Sequence, residues 1–291
     1  MICFPNAKIN LGLNVVSKRL DGYHNLETIF YPIGLKDALE IVPALGTSAS
    51  LSDQSRSAQN RYRFFQSGIP IHGNPDDNLV IKALNLISEE NEIPPIDIHL
   101  LKKIPFGAGL GGGSADAAFM LRLLNDTFQL NYSDERLMQF AAKLGADCPF
   151  FIKNRPAFAT GIGDTLEEID VNLDDYFLVL VKPLIAVPTK EAYAMITPKH
   201  PEISLKEIVQ QPISEWKKAM KNDFEVPVFK KYPEIGAIKN RLYELGAIYA
   251  SMSGSGSSVF GFFETEIDVK KIEQLGIKIW ISVKSRLIEK L

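Results

Sequence analysis

Pro105-Phe106-Gly107-Ala108-Gly109-Leu110-Gly111-Gly112-Gly113-Ser114 packs five glycines into the seven residues from Gly107 to Gly113. The whole chain has only 20 glycines in 291 residues, an ordinary frequency, so the clustering has a local cause. Upstream, Ile96, Ile98 and Leu100 alternate with Asp97 and His99, the period of a half-buried strand. Downstream, Ser114-Ala115-Asp116-Ala117-Ala118-Phe119-Met120-Leu121 is a good helix former, apolar enough to be mostly buried. Strand, glycine loop and helix together bring bare backbone amides to a ligand at a helix N-terminus. The open N–H groups and the positive dipole end there favour an anion, most often a phosphate. A flexible connector needs one or two glycines; five point to phosphate binding.

Two familiar phosphate motifs overlap this stretch, and neither fits. Gly107-Ala108-Gly109-Leu110-Gly111-Gly112 satisfies G-x-G-x-x-G. A dinucleotide fold, however, needs a second strand ending in an acid about 20 residues on. Asp126 lies near that distance, but the residues from Asp126 to Asp134 read as a loop between helices. The preceding strand also alternates, whereas a central parallel strand is continuously apolar. The pattern G-x-x-x-x-G-K-[ST] finds Gly107 and Gly112, but Gly113 stands where the lysine belongs.

The rest of the chain narrows the class. Its length allows a large core and two domains. A net charge of −3 and a pI near 5.9 argue against a dedicated nucleic-acid binder, so a phosphate site must be local. The first residues lack the basic start and long apolar core of a signal peptide. The apolar run Tyr176 to Val181 is far too short to span a bilayer. Cys3 and Cys148 form no metal or redox spacing. A cytoplasmic protein with reduced thiols and no membrane or nucleic-acid partner is expected.

In chain order, Ile9, Leu11, Leu13 and Val15 share one face of a strand and Lys8, Asn10, Gly12 and Asn14 the other. Asp21-Gly22 marks a turn, and Leu26–Tyr31, Ala38–Val42 and Tyr62–Ser67 read as strands. Residues 46–60 look like an exposed polar insert. Asp76 or Asp77 is expected to cap a helix from Asn78 to Glu90, and Ser133 another that Gly145 stops. Asp147 stands where it could simply cap the next helix. Further on come strands at Ala157–Thr160 and Tyr176–Val181, then helices at Pro188–Tyr193, Ile213–Asn222 and Pro233–Leu245. Strand, glycine-serine loop and strand then follow over Ala247–Phe263, and Ile277–Val283 is a candidate last strand.

The string Pro-x-Gly-x-Gly-Leu-Gly-Gly-Gly-Ser-Ala closely resembles the phosphate loop of the GHMP kinase superfamily, which includes galactokinase, homoserine kinase and mevalonate kinase. Asn6-Ala7-Lys8-Ile9-Asn10-Leu11 and Arg19-Leu20-Asp21-Gly22-Tyr23-His24-Asn25-Leu26 are similar to the branch whose acceptor is a cytidylyl methylerythritol. Gly145-Ala146-Asp147-Cys148-Pro149-Phe150-Phe151 and Met252-Ser253-Gly254-Ser255-Gly256 match later motifs of that branch. The likeness runs in order from about residue 5 to 263.

The resemblance implies an α+β, two-domain GHMP kinase fold: a ribosomal-S5-like nucleotide domain over 1–156 and a ferredoxin-like domain over 157–291. It implies ATP-dependent phosphorylation of the 2-hydroxyl of 4-diphosphocytidyl-2-C-methyl-D-erythritol, with Mg²⁺, by a monomer or weak homodimer. Pro105, Phe106, Gly107, Ala108, Gly109, Leu110, Gly111, Gly112, Gly113, Ser114 and Ala115 would hold ATP, and the Ser114 hydroxyl would reach the metal. Asp147 would be the general base and Lys8 its charge partner. Asn10, Tyr23, His24, Thr189, Tyr193, Gly254, Ser255 and Gly256 would bind the acceptor, with Tyr23, His24 and Tyr193 around its cytosine. Another GHMP kinase with a different alcohol is the nearest alternative; a nicotinamide-dependent dehydrogenase and an RNA-binding module are more distant ones.

Overall fold

The structure, a computed structural model, describes residues 1–43, 62–71 and 73–268, together with the strand at 278–282. The polar insert at 46–60 lies outside the described residues. In chain order the strands are β1 (Ile2–Cys3), β2 (Asn6–Lys18), β3 (His24–Lys36), β4 (Ala38–Pro43), β5 (Tyr62–Gly68), β6 (Ile96–Lys102), β7 (Ala157–Thr160), β8 (Thr165–Glu168), β9 (Phe177–Lys182), β10 (Tyr249–Met252), β11 (Val259–Phe263) and β12 (Lys278–Ser282). The helices are α1 (Leu79–Ser88), α2 (Gly112–Thr127), α3 (Asp134–Leu144), α4 (Cys148–Lys153), α5 (Thr189–Ala194), α6 (Leu205–Ile208), α7 (Ile213–Ala219), α8 (Glu225–Lys231) and α9 (Pro233–Glu244).

These elements form two compact units. The first takes Met1–Asn6, Lys36–Phe106 and Gly112–Lys153; the second takes Ala7–Leu35, Gly107–Gly111 and Asn154–Leu291. The passage from Lys153 to Asn154 lies close to the boundary expected near 156, but residues 7–35 and 107–111 join the later unit.

In the first unit a four-stranded sheet runs β1-β4-β6-β5, antiparallel except for the β5/β6 pair. Its register sets Leu39 opposite Leu100 and Ile41 opposite Ile98, so the apolar residues of the alternating strands share the buried face. Helices α1 and α2 pack together, and α3 and α4 join them. Asn78, rather than Asp76 or Asp77, caps α1: its side chain accepts from the Val80 N–H, while Asn74 caps the 3₁₀ turn Pro75–Asp77. Helix α2 runs on to Thr127, so Asp126 is helical rather than in a loop. Ser133 caps α3 as expected, accepting from the Arg136 N–H.

The second unit holds two four-stranded sheets, β2-β3-β7-β8 and β10-β11-β9-β12. Helix α9 packs on β10 and β11 over a core that includes Val179, Val181, Ile235, Ile238, Leu242, Met252 and Val259. Strand β2 departs from the simple pattern, because Lys8 and Asn10 are buried as thoroughly as Ile9 and Leu11. Its alternation separates two buried faces, one apolar and one polar. The segment after α7 pairs with β2 as well, through Leu13 N–H to Lys221 O and Asp223 N–H to Leu13 O.

Candidate active site

In the first unit, β6 delivers the chain to the glycine loop and α2 leaves it. Lys102 continues the inward register of Ile96, Ile98 and Leu100, and its side chain is 3% exposed. It bonds to the carboxylates of Asp37 and Asp116, the latter at 2.6 Å. Asp37 also accepts from the Lys103 and Ile104 amides, fixing the backbone just before the loop. The second carboxylate oxygen of Asp116 is buried without a hydrogen-bond partner. Burial, only partly offset by Lys102, pushes the Asp116 carboxyl well above the usual carboxylate range. Gly112 closes against this cluster: a Cβ there would lie 2.7 Å from Ile104 Cγ2.

A cavity of about 450 Å³ opens beside the start of α2. Phe64, Ile71, Leu79, Ile104, Pro105 and Phe106 give it apolar walls, and Asn78, Lys102, Gly112, Gly113 and Asp116 its polar end. Phe106 is 76% exposed. At the other side of the α2 N-terminus, Ser114 meets Cys148 at the start of α4. Burial pushes the Cys148 thiol up to about 11; the Ser114 hydroxyl lowers it and the adjacent Asp147 carboxylate raises it. Cys148 therefore stays a neutral thiol, and Ser114, Cys148 and Asp147 stand together.

In the second unit, Lys8 Nζ donates to Asn10 Oδ1 at 2.7 Å and lies 4.5 Å from the Phe30 ring centroid. Asn10 is held in turn: its Nδ2 donates to Thr28 Oγ1, which donates to Gly12 O. The Asn10 amide is thus spent on orienting Lys8. The glycine loop meets this strand through Lys8 N–H to Leu110 O. Ser253 Oγ donates to Gly109 O at 2.8 Å, and Gly109 lies so close to Ser253 that a Cβ would sit 2.1 Å from its carbonyl oxygen. With φ at +74°, Gly109 meets two separate demands for glycine.

The side chains expected to bind the acceptor fall into two groups in this unit. Thr189 and Ser255 hydroxyls lie 3.2 Å apart, and Gly254 packs on Gly109 and Asn10. His24 stacks on Tyr193, centroids 5.0 Å apart and planes 23° from parallel, and Tyr193 meets Phe224 edge-on. Tyr23 stands 62% exposed beside them in sequence, its N–H bonded to Asp21. Burial, then the positive charge of Lys18, holds the His24 ring below its ordinary value.

Comparison with known proteins decides the family. The GHMP kinases N terminal domain matches residues 78–155, and the GHMP kinases C terminal domain residues 204–274. A 4-diphosphocytidyl-2-C-methyl-D-erythritol kinase of Parabacteroides distasonis is 60% identical, covering 93% of this chain and 94% of that one. Its namesake in Bacteroides fragilis is 56% identical over 94% of this chain and 96% of its own. The chain belongs to the 4-diphosphocytidyl-2-C-methyl-D-erythritol kinase family. A crystal structure titled 4-(cytidine 5'-diphospho)-2C-methyl-D-erythritol kinase superposes with a TM-score of 0.79 at 31% identity, over 97% of this chain and 98% of that one. The α+β, two-domain GHMP fold follows, and no described helix is long and apolar enough to cross a membrane.

The structure also places in these clusters residues that sequence reasoning had not assigned to the site. Lys102 was legible in principle, as a lysine on the inward face of an apolar strand. Asp37 and Thr28 left no comparable mark, whereas Ser253 lay within a matched motif and Asp116 was, with Asp147, an acidic candidate for Mg²⁺. Among the described residues no three His, Cys, Asp or Glu side chains gather into a metal cage. The Ser114 hydroxyl would suit a Mg²⁺ borne mainly by substrate phosphates and water, whereas the Asp116 carboxyl is buried and held by Lys102.

Proposed function

We propose that this chain transfers the γ-phosphoryl group of ATP to the 2-hydroxyl of 4-diphosphocytidyl-2-C-methyl-D-erythritol, giving the 2-phosphate and ADP. The observation that carries the reading is near-full-length identity of 60% to a kinase of that name. Kinase membership makes ATP a substrate. The apolar cavity beside α2 takes its base, and the backbone of residues 105–115 together with the α2 dipole takes its phosphates. Mg²⁺ arriving with ATP neutralises phosphate charge, with the Ser114 hydroxyl as the chain's own ligand.

The acceptor alcohol is tertiary and a poor nucleophile until its proton leaves. Asp147 takes that proton, and the buried Lys8 ammonium, aimed by Asn10 and Thr28, balances charge on the transferring group. Asn10 acts through Lys8 rather than on the acceptor. Gly254, Ser255, Gly256 and Thr189 bind the acceptor's phosphates. Tyr23 offers an exposed ring face to cytosine, and His24, backed by Tyr193, reads its edge.

ADP release measured against a panel of alcohols tests this. Turnover on the cytidylyl methylerythritol with none on homoserine, galactose or mevalonate is the expected result. Comparable kcat/KM on any of those three, with none on the cytidylyl substrate, overturns it.

A further inference from the structure

The segment Asn222-Asp223-Phe224-Glu225 has no place in the chemistry above, yet its polar side chains are all committed to backbone that carries the site. Asn222 is 2% exposed; its Nδ2 donates to Met252 O at 2.8 Å and to Gly254 O at 2.9 Å, while its Oδ1 accepts from the Phe224 N–H. Glu225 Oε1 accepts from Ser251 Oγ and the Met252 N–H, and its other oxygen pairs with Lys239. Asp223 accepts from the Val15 N–H of β2 at 2.8 Å. One tetrapeptide thus clamps the strand of Lys8 and the loop after β10.

The consequence lies in peptide geometry. In a planar trans unit the C=O and N–H point in opposite directions. Anchoring Gly254 O on Asn222 therefore turns the Ser255 N–H away from Asn222. The Ser253 N–H is spent on Ser258 O and the Gly256 N–H on Ser253 O. Among the described residues, the N–H groups of Gly254 and Ser255 have no hydrogen-bond partner, and Gly254 sits at φ +56°. Two successive N–H groups about a left-handed residue form a concavity that binds anions. Of the two carbonyls in the peptide units that carry these N–H groups, Gly254 O is held by Asn222 and Ser253 O accepts from the Gly256 N–H, so neither turns into the concavity.

We propose that Asn222 is a positioning residue that keeps the Gly254–Ser255 amides aimed at the diphosphate of the cytidylyl substrate. The inference rests on the functional reading above. An Asn222→Asp chain keeps the acceptor for Phe224 but sets oxygen against both carbonyls. Cytidine diphosphate is the probe, with cytidine as the control that lacks phosphate. Calorimetric titration should show the Kd for cytidine diphosphate raised ~10-fold or more, as loss of charge-assisted hydrogen bonds implies, with the Kd for cytidine and the KM for ATP within about twofold of the parent. Equal loss of cytidine and cytidine diphosphate, or no loss of either, overturns the proposal. Should the variant fail to fold, the parent decides: the Ser255 amide resonance must shift on adding cytidine diphosphate and stay in place with cytidine. A parent chain that does not phosphorylate the cytidylyl substrate at all sinks the functional reading instead.

Discussion

At the scale of single residues, burial decides what the polar groups can do. Asp147 stands at the start of α4 beside a neutral Cys148 and is half-buried. If it takes the acceptor's proton, Asp147→Asn lowers kcat by roughly 10²–10⁴-fold with little change in KM for ATP. An amide caps a helix about as well as a carboxylate, so the melting temperature stays near that of the parent. Near-normal turnover in steady-state assays would reduce Asp147 to a cap. His24 adds a pH signature. Its lowered value keeps the ring neutral down to below its ordinary 6.5, so the stability this lends is present above 6.5 and lost as pH falls through the lowered folded value. KM for the cytidylyl substrate should stay flat from pH 8 to 6.5 and rise in acid, and His24→Gln should abolish that acid limb. A limb that persists in the variant belongs to another group.

At the scale of elements, the glycine loop is where the sequence spoke most clearly and where the structure adds the most. Gly109 meets Ser253 across 144 residues of sequence, its backbone too close to the second loop for any side chain. Gly109→Ala should therefore cost about 1–3 kcal/mol in chemical denaturation, as overpacking does, and should also impair turnover. A variant as stable as the parent would mean that the two loops do not interlock. Five glycines in seven residues could be read as a phosphate loop because no other structure needs so many. Without the family resemblance Ser251 to Ser258 would read as a long hairpin turn, and its interlock with Gly109 shows only in the contacts. The same limit hid Asn222 and Glu225, whose work is to hold backbone from a distance. Periodicity reports which face of an element is buried, and on β2 it separated the faces correctly. It could not report that the polar face of Lys8 and Asn10 is buried too, because that depends on Phe30, Thr28 and Ser253 arriving from elsewhere.

At the scale of the whole molecule, the two units draw their residues from interleaved stretches of chain, which no compositional boundary near residue 156 announces. Fold class and family were legible because five separate motifs occur in one order. The acceptor is assigned from near-full-length identity to kinases of that name, and the side chains proposed to recognise it, Tyr23, His24, Tyr193 and the Gly254 loop, fall in one unit. The central claim is that this chain phosphorylates one particular hydroxyl, and the position of the new phosphate tests it most directly. Carbon 2 of the methylerythritol carries the methyl group and no hydrogen, so a phosphate there has no three-bond proton neighbour. After incubation with ATP, Mg²⁺ and 4-diphosphocytidyl-2-C-methyl-D-erythritol, the proton-coupled ³¹P spectrum should show a new phosphomonoester singlet growing with ADP. A doublet or triplet, marking transfer to a hydroxyl on a hydrogen-bearing carbon, or ADP without any new monoester, would contradict the account.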